Sequence, residues 1–283
     1  MLALIISSTY VNAQQVKEPD TNKPEWSQAY EPFRIAGNLY YVGTYDLACY
    51  LIKTKDGLIL INTGLASSEQ QIKASIEKLG FKFTDIKILL TTQAHFDHLG
   101  AMAAIKKKTG AKLMIDEGDA DVLAHGGSTD YELGKYGVTF APEKADKILK
   151  DGDTIKLGEM KIVMLHHPGH TKGSSSFIFT VNDEQKSYRV LIANLPSIIT
   201  DKKFNDIPAY TNIEKDYAYT FQAMKDLKFD LWLASHASQF NLHEKHKPGD
   251  SYNPSVFEDQ KGYDEALADL KQSFDDKVKA DKQ

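Results

Sequence analysis

Residues 88–101 read ILLTTQAHFDHLGA and join an apolar strand to side chains that can bind a metal. The short apolar run begins at Ile86 and predicts a strand that is buried on both faces. His95, Asp97 and His98 follow it within four residues, so they cannot share one face of a strand or helix. On a tight turn they can converge, and imidazole and carboxylate are ligands that zinc accepts. The stretch therefore predicts a metal centre at the carboxyl end of a strand.

Two further histidines follow predicted strands in the second half of the chain. Pro168 and Gly169 force a turn that places His170 at a strand end, and His236 follows the buried strand at 231–234. A single histidine after a strand is usually an ordinary surface residue. Histidines at three strand ends favour one cleft at the edges of packed sheets instead.

The other histidines lack this support. His166 and His167 are interpreted as structural, with one of them able to support a ligand. His125, His243 and His246 lie in polar segments and are predicted to be solvated.

Apolar periodicity predicts two β-rich halves flanked by helices, in an α/β fold. Residues 14–32 are predicted to be an extended lead-in without an element. A single domain at 14–283 is expected, with halves at about 33–145 and 146–283. The predicted strands are 38–41, 48–54, 58–62, 86–90, 113–115, 154–157, 160–165, 175–180, 188–193 and 231–234. The predicted helices are 67–79, 99–108, 215–227 and a C-terminal helix over about 263–278.

Composition excludes several classes of protein. The chain has 283 residues, 42% of them hydrophobic, which is normal for a globular protein. Its net charge of -5 argues against a nucleic-acid partner. No apolar run is long enough to span a membrane. Cys49 is the one cysteine, so neither an intramolecular disulfide nor an all-cysteine zinc site is possible, and it is predicted to be a small buried hydrophobe.

Residues 1–13 resemble the end of a secretory signal peptide. A short apolar run is followed by small residues and by Ala13, which suits cleavage after about that residue. The usual positive start is missing, which suggests that Met1 lies inside a longer precursor. We therefore expect an exported, periplasmic protein.

Three segments resemble the metallo-β-lactamase superfamily, whose usual first motif is HxHxDH. They are ILLTTQAHFDHLGA, HHPGHTKGSSSF and ASHASQF, at 88–101, 166–177 and 234–240. The segment AHGGSTDYELGKYGVTFAP at 124–142 resembles the loop beside the active site in the third subclass. Gln93 in place of the first histidine, with NAQQVKEPD and YEPFRIAGNLYYVGTYDLACYLI, is similar to the GOB-type enzymes.

The resemblance implies a four-layered αβ/βα sandwich with one or two zinc ions in an edge cleft. It implies a first zinc position formed by Gln93, His95 and His170. A second position is implied at Asp97, His98 and His236, where Asp97 would also orient the attacking water. The implied reaction is hydrolysis of the β-lactam amide of penicillins, cephalosporins and carbapenems, by a monomer that confers antibiotic resistance.

Departures from the family pattern concern the ligands and the substrate site. Gln93 offers a neutral amide oxygen, a weaker zinc ligand than imidazole, so one zinc ion at the second position is expected to suffice. Leu195 stands where the subclass often has serine, which leaves Ser197 to bind the substrate carboxylate. Thr44, Tyr45 and the loop at 126–136 are candidates to line the cleft. The turn at 62–64 is expected to support the ligand loop.

Two other functions stay open at this point. The first is hydrolysis of thioesters or lactones by another member of the superfamily. Against it, residues 192–197 contain no aspartate, where such enzymes place a metal-bridging one. The second is a zinc-binding protein without activity, in which Gln93 would be a sign of decay. Against it, Asp97, His98, His170 and His236 are all intact.

Overall fold

The first sheet lies in the N-terminal part of the chain. The computed structural model describes residues 16–20, 23–137 and 139–283, so the predicted signal segment at 1–13 lies outside the described residues. In this sheet the strands follow chain order from β1 to β7. They are β1 Phe33–Ala36, β2 Leu39–Tyr41, β3 Tyr50–Thr54, β4 Gly57–Ile61, β5 Ile86–Leu90, β6 Lys112–Asp116 and β7 Lys147–Leu149. The first four pair antiparallel, and β4 to β7 pair parallel.

The second sheet follows in the chain, with the order β12-β11-β10-β9-β8. Its strands are β8 Thr154–Leu157, β9 Met160–His166, β10 Ser175–Asn182, β11 Ser187–Ala193 and β12 Leu231–Ala234. Only the β11–β12 pair is parallel in this sheet. The hairpin between β10 and β11 was predicted from the polar residues 182–184 and is confirmed.

Helices cover the outer faces of both sheets. They are α1 Glu69–Lys78, α2 Phe96–Leu99, α3 Met102–Thr109, α4 Ala120–Ala124, α5 Ile213–Lys225, α6 Leu242–Lys245 and α7 Gln260–Asp281. The predicted helix over 67–79 is confirmed as α1, and Gly80 follows it with φ +84°. No helix within the described ranges is both long and apolar enough to cross a membrane.

Strand β4 shows how the layers form, because both of its faces are buried. Ile59 and Ile61 belong to the apolar cluster that includes the second sheet, α5 and α7. Leu58 and Leu60 point the other way, into a cluster with α1 and α3. Helices, sheet, sheet and helices therefore stack in four layers, which confirms the predicted αβ/βα sandwich. Cys49 is buried and unpaired in the second of these clusters, as predicted.

Three expectations are wrong. The lead-in contains a 3-10 helix at Pro24–Trp26, which buries its tryptophan. His246 is buried and stacks on Phe33, with ring centroids 3.6 Å apart. His243 stacks at 3.6 Å on Tyr45, so neither histidine is simply solvated. Both histidines have polar neighbours in the sequence, so no pattern indicated that they stack on aromatic rings from the N-terminal part of the chain.

Candidate metal centre

The loop that follows β5 is held by the end of the neighbouring strand β4. Asn62 adopts φ +62° there, and its side-chain oxygen accepts a hydrogen bond from the backbone N–H of Thr92 at 2.9 Å. The N–H of Thr63 donates to the carbonyl of His98 at 2.7 Å. The turn at 62–64 therefore fixes both ends of the loop, and its predicted supporting role is confirmed.

Asp97, His98 and His236 converge on one point in the cleft. Their ligand atoms all lie within 4.8 Å of one another. Oδ2 of Asp97 is 3.4 Å from Nε2 of His98 and 3.4 Å from Nε2 of His236. Burial opposes ionisation of this carboxyl group, yet the two imidazoles hold its pKa well below the ordinary value. The group is therefore an anion with two nitrogen donors beside it.

Gln93, His95 and His170 form a second group in the same cleft. The amide nitrogen of Gln93 is 3.4 Å from Nδ1 of His95, and the rings of His95 and His170 have centroids 5.0 Å apart. Burial, together with the nearby His95, lowers the pKa of His170 to about 3. His170 is therefore neutral at pH 7, in the form that binds metal.

Each of three site histidines is oriented by an oxygen behind it. Nδ1 of His170 lies 2.7 Å from the carbonyl oxygen of Ser197, so its Nε2 is left for the cleft. Nδ1 of His236 is 3.1 Å from Oδ2 of Asp46. On the other side, Oδ2 of Asp130 is 3.4 Å from Nε2 of His95, at ion-pair distance.

Asp46 also connects the N-terminal segment to the site. The indole N–H of Trp26 donates to its Oδ2 at 3.0 Å, and the N–H of Ser238 donates to its Oδ1 at 2.9 Å. Burial lowers the pKa of His236, but contact with the carboxylates of Asp46 and Asp97 raises it by more, so that the net pKa is about 9. One carboxylate thus fixes both His236 and the tryptophan that covers it.

Asp119 connects the loop after β5 to the loop that carries His170. Its Oδ2 accepts from the N–H of Ala94 at 2.7 Å and from the hydroxyl of Thr171 at 2.8 Å. Its Oδ1 accepts from the N–H of Gly173 at 2.9 Å. Burial raises the pKa of Asp119 to about 6, so the carboxylate is mostly ionised at pH 7. It thereby joins the two segments that bring His95 and His170 together.

A cavity of about 290 Å³ opens onto both groups. Its lining includes all six candidate ligands together with Ser197 and Leu195. Leu133 reaches it from the loop at 126–136. Thr44 and Tyr45 are not among the lining residues, since Thr44 is buried and Tyr45 packs on His243. A larger groove of about 730 Å³ lies between α5 and α7, but no histidine lines it.

The residues present fit a bound cation. Oε1 of Gln93 and Nε2 of His98 are buried without a hydrogen-bond partner. Such atoms carry a free-energy cost unless another partner meets them. Two nitrogen donors and one carboxylate within bonding reach of a common point are a donor set that zinc accepts.

Sequence reasoning did not identify the residues behind the candidate ligands. Asp46, Asp119 and Asp130 lie far along the chain from the histidines or loops that they contact. The available signal was weak, because an acidic residue beside an apolar run is common. Asp46 precedes the buried run Leu47 to Leu51, which is the nearest to such a signal.

Comparison with known proteins gives consistent results. Residues 43–183 match the metallo-beta-lactamase superfamily. The crystal structure of the metallo-beta-lactamase GOB-18 from Elizabethkingia meningoseptica is 63% identical, with TM-score 0.94, over 95% of this chain and 99% of that one. The class B3 di-zinc metallo-beta-lactamase LRA-12 from an Alaskan soil metagenome is 65% identical, with TM-score 0.92, over 93% and 100%. A beta-lactamase from Chitinophaga pinensis is 57% identical, with TM-score 0.89, over 97% and 100%.

Curated relatives match over shorter stretches. A probable metallo-hydrolase of Burkholderia pseudomallei is 33% identical over 120 residues, which are 42% of this chain and 38% of that protein. An N-acyl homoserine lactonase of a Bacillus species is 23% identical, over 56% of this chain and 67% of its own length. The chain therefore spans well under two thirds of the first of these relatives.

Proposed function

The chain belongs to the metallo-β-lactamase superfamily, and from this premise we propose that it is a zinc-dependent hydrolase of the β-lactam amide bond. The observation that carries the proposal is the convergence of Asp97, His98 and His236 in a cleft that also contains Gln93 and His170. Similarity to class B3 enzymes over nearly the whole chain supports the same reaction. Penicillins, cephalosporins and carbapenems are the proposed substrates.

We assign Gln93, His95 and His170 to a first zinc position, and Asp97, His98 and His236 to a second. The ring pairing supports this division, because His95 approaches His170 and His98 approaches His236, each at 5.0 Å between centroids. A zinc ion supplies Lewis acidity and lowers the pKa of a water molecule to roughly 7.

Asp97 has the central role among the residues of the chain in this mechanism. As an anion at neutral pH, it accepts a hydrogen bond from the attacking water and orients it towards the lactam carbonyl. Hydrolysis adds this oxygen to the carbonyl carbon and breaks the C–N bond, and the released nitrogen takes a proton. Ser197 lines the same cavity, where its hydroxyl can donate to the substrate carboxylate. Trp26, Phe96 and Ile199 supply apolar walls.

We propose that the second position fills first and that one zinc ion supports activity. The test is hydrolysis of a carbapenem by metal-depleted protein during titration with zinc, while bound metal is counted. A plateau at one zinc ion per chain supports the proposal, and a rise up to two means that Gln93 is an adequate ligand. No hydrolysis at any zinc level, with hydrolysis of a lactone or thioester instead, would replace the β-lactamase assignment.

Substitution Gln93→His sharpens this titration. An imidazole is a stronger zinc ligand than an amide oxygen, so zinc affinity at the first position should rise while the second position is unchanged. Competition with a chromophoric chelator measures both affinities without reference to activity. An unchanged affinity at the first position would show that residue 93 is not a ligand.

The remaining features of the proposal concern the whole protein. We propose that residues 14–283 form one domain and act as a monomer, after export to the periplasm and cleavage near Ala13. The first sheet continues to Leu149, slightly past the predicted boundary of the first half. Mass spectrometry of the N-terminus of protein secreted by an expressing bacterium, and light scattering of the purified protein, test these points.

A further inference from the structure

We propose that Lys23 binds the carboxylate of the substrate at the opening of the zinc cleft. The proposal rests on the β-lactamase function above, since the substrates of that reaction carry a carboxylate beside the lactam ring. It assigns a substrate-binding role to a residue of the N-terminal lead-in, for which the sequence predicted no element.

The first observation is the charge of the cleft. Of the described residues that line the cavity, Lys23 is the one lysine or arginine. Asp97 lines the cavity as an anion, and Asp46 and Asp130 lie directly behind its histidines. Zinc at the proposed positions would offset these carboxylates. The ammonium group of Lys23 is a separate cation on the cavity lining, where it can give the substrate carboxylate a charged partner.

The second observation is that Lys23 is anchored. Its ammonium group lies 4.2 Å from the centre of the Trp26 ring, a distance at which a cation is attracted to the ring face. The N–H of Trp26 donates to the carbonyl of Lys23 at 3.0 Å, so one turn holds both residues. Trp26 is itself fixed by Asp46. Loss of side-chain freedom on binding the substrate is correspondingly smaller.

The third observation is the position of this pair. The Trp26 ring lies 5.6 Å from the ring of His236 and 6.2 Å from that of Phe96, between centroids. Lys23 and His236 therefore both contact the Trp26 ring, and both line the same cavity. The contact that holds the ammonium group of Lys23 is with the Trp26 ring, a weaker partner for the charge than a substrate carboxylate. Ser197 offers only a neutral hydroxyl to the same carboxylate.

The test compares Lys23→Gln with the zinc-loaded parent protein on two substrates, a chromogenic cephalosporin and its uncharged carboxylate ester. We expect the KM of Lys23→Gln for the free acid to rise about three- to fivefold, as for loss of an exposed ion pair, with kcat nearly unchanged. The KM for the ester should not change. Lys23→Arg should retain most of the preference for the acid, and added salt should weaken binding less in Lys23→Gln than in the parent.

Lys228→Gln is the matched control, because Lys228 is an exposed lysine outside the cavity. Bound zinc is counted in every variant, so that metal loss is not mistaken for lost substrate binding. If Lys23→Gln behaves as Lys228→Gln does, or if the KM values for acid and ester rise together, the assignment of Lys23 is overturned while the β-lactamase function stands. If the parent protein hydrolyses neither compound, the proposed function fails first.

Discussion

Replacing Asp119 by asparagine should weaken zinc binding while the stability of the fold without metal stays nearly the same. Asparagine has nearly the same shape, but one carboxylate oxygen becomes an amide NH2. If this group takes the place of Oδ1, it faces the N–H of Gly173, and that hydrogen bond is lost. In the other orientation it faces the N–H of Ala94. Either way a buried donor loses its acceptor, at a cost of about 2–3 kcal/mol for a bond to a charged group.

An opposite contribution comes from the buried charge. Because burial raises the pKa of Asp119 from 3.8 to about 6, its ionised form at pH 7 costs about 3 kcal/mol more in the fold than in the unfolded chain. The neutral amide does not carry this cost. We therefore expect the free energy of unfolding of Asp119→Asn without metal to lie within about 1 kcal/mol of the parent value.

Zinc binding should respond differently, since it depends on where the two loops lie. Depending on the orientation, two facing donors push the asparagine away from the segment of Gly173 or from that of Ala94. These two segments carry His170 and His95. Loss of a contact behind metal ligands typically lowers affinity about 10- to 100-fold. We expect this loss at the proposed first zinc position. Chelator competition measures the affinity, and chemical denaturation measures stability.

Asp121→Asn is the control for this substitution. Asp121 is an exposed aspartate on α4, two residues along the chain, and lies 3.2 Å from the side chain of His125. The same chemical change there should affect neither measurement. If Asp119→Asn binds zinc as tightly as Asp121→Asn at both positions, the carboxylate of Asp119 does not hold the ligand loops together.

Two further predictions test the packing and the metal. A Cβ atom on Gly118 would lie 2.2 Å from the carbonyl oxygen of Lys172, so Gly118→Ala should destabilise the fold by about 1–3 kcal/mol, measured by chemical denaturation. Gly152→Ala, whose Cβ would meet nothing within 4 Å, measures instead the cost of alanine at a φ of +77°. An unchanged free energy of unfolding in Gly118→Ala would contradict the close contact with Lys172. Zinc at 100 times its Kd should add about 2.7 kcal/mol of stability, and chelation should lower Tm accordingly. An identical Tm with and without chelator would contradict a folded-state metal site.

Strong apolar patterns predicted most of the fold. The run at 86–90 became β5 without a change of boundary, and the stripe on residues 67–79 became α1 with shorter ends. Strand β1 and strand β7 were missed, because they have four and three residues and are partly exposed. Such short edge segments carry too little periodicity for detection, and pairing with a longer neighbour determines them instead.

The site was predicted only as far as local spacing allowed. The cluster from Gln93 to His98 can be recognised because it lies within six consecutive residues. Lys23 and Trp26, in contrast, reach the cleft through a turn that no pattern predicted. Thr44 and Tyr45 were chosen as loop residues near a strand end. The structure instead packs Tyr45 against His243, near the other end of the chain. Contacts between segments so far apart depend on the assembled layers.

The charges of the two groups of candidate ligands give a reason why glutamine could stand at position 93 in place of a histidine. Gln93, His95 and the neutral His170 would present no anion to a cation, whereas the other group contains ionised Asp97. A divalent ion is therefore attracted more strongly to the second group, and in a buried cleft this attraction is weakly screened. Asp130 reduces this difference in charge between the two groups only indirectly, since it contacts His95 and is not itself a candidate ligand. If one zinc ion beside Asp97 is sufficient for hydrolysis, weakening a ligand of the other group has little effect on the reaction. Substitution at position 93 would then be tolerated, because the attraction of zinc to the group that contains Asp97 does not depend on residue 93.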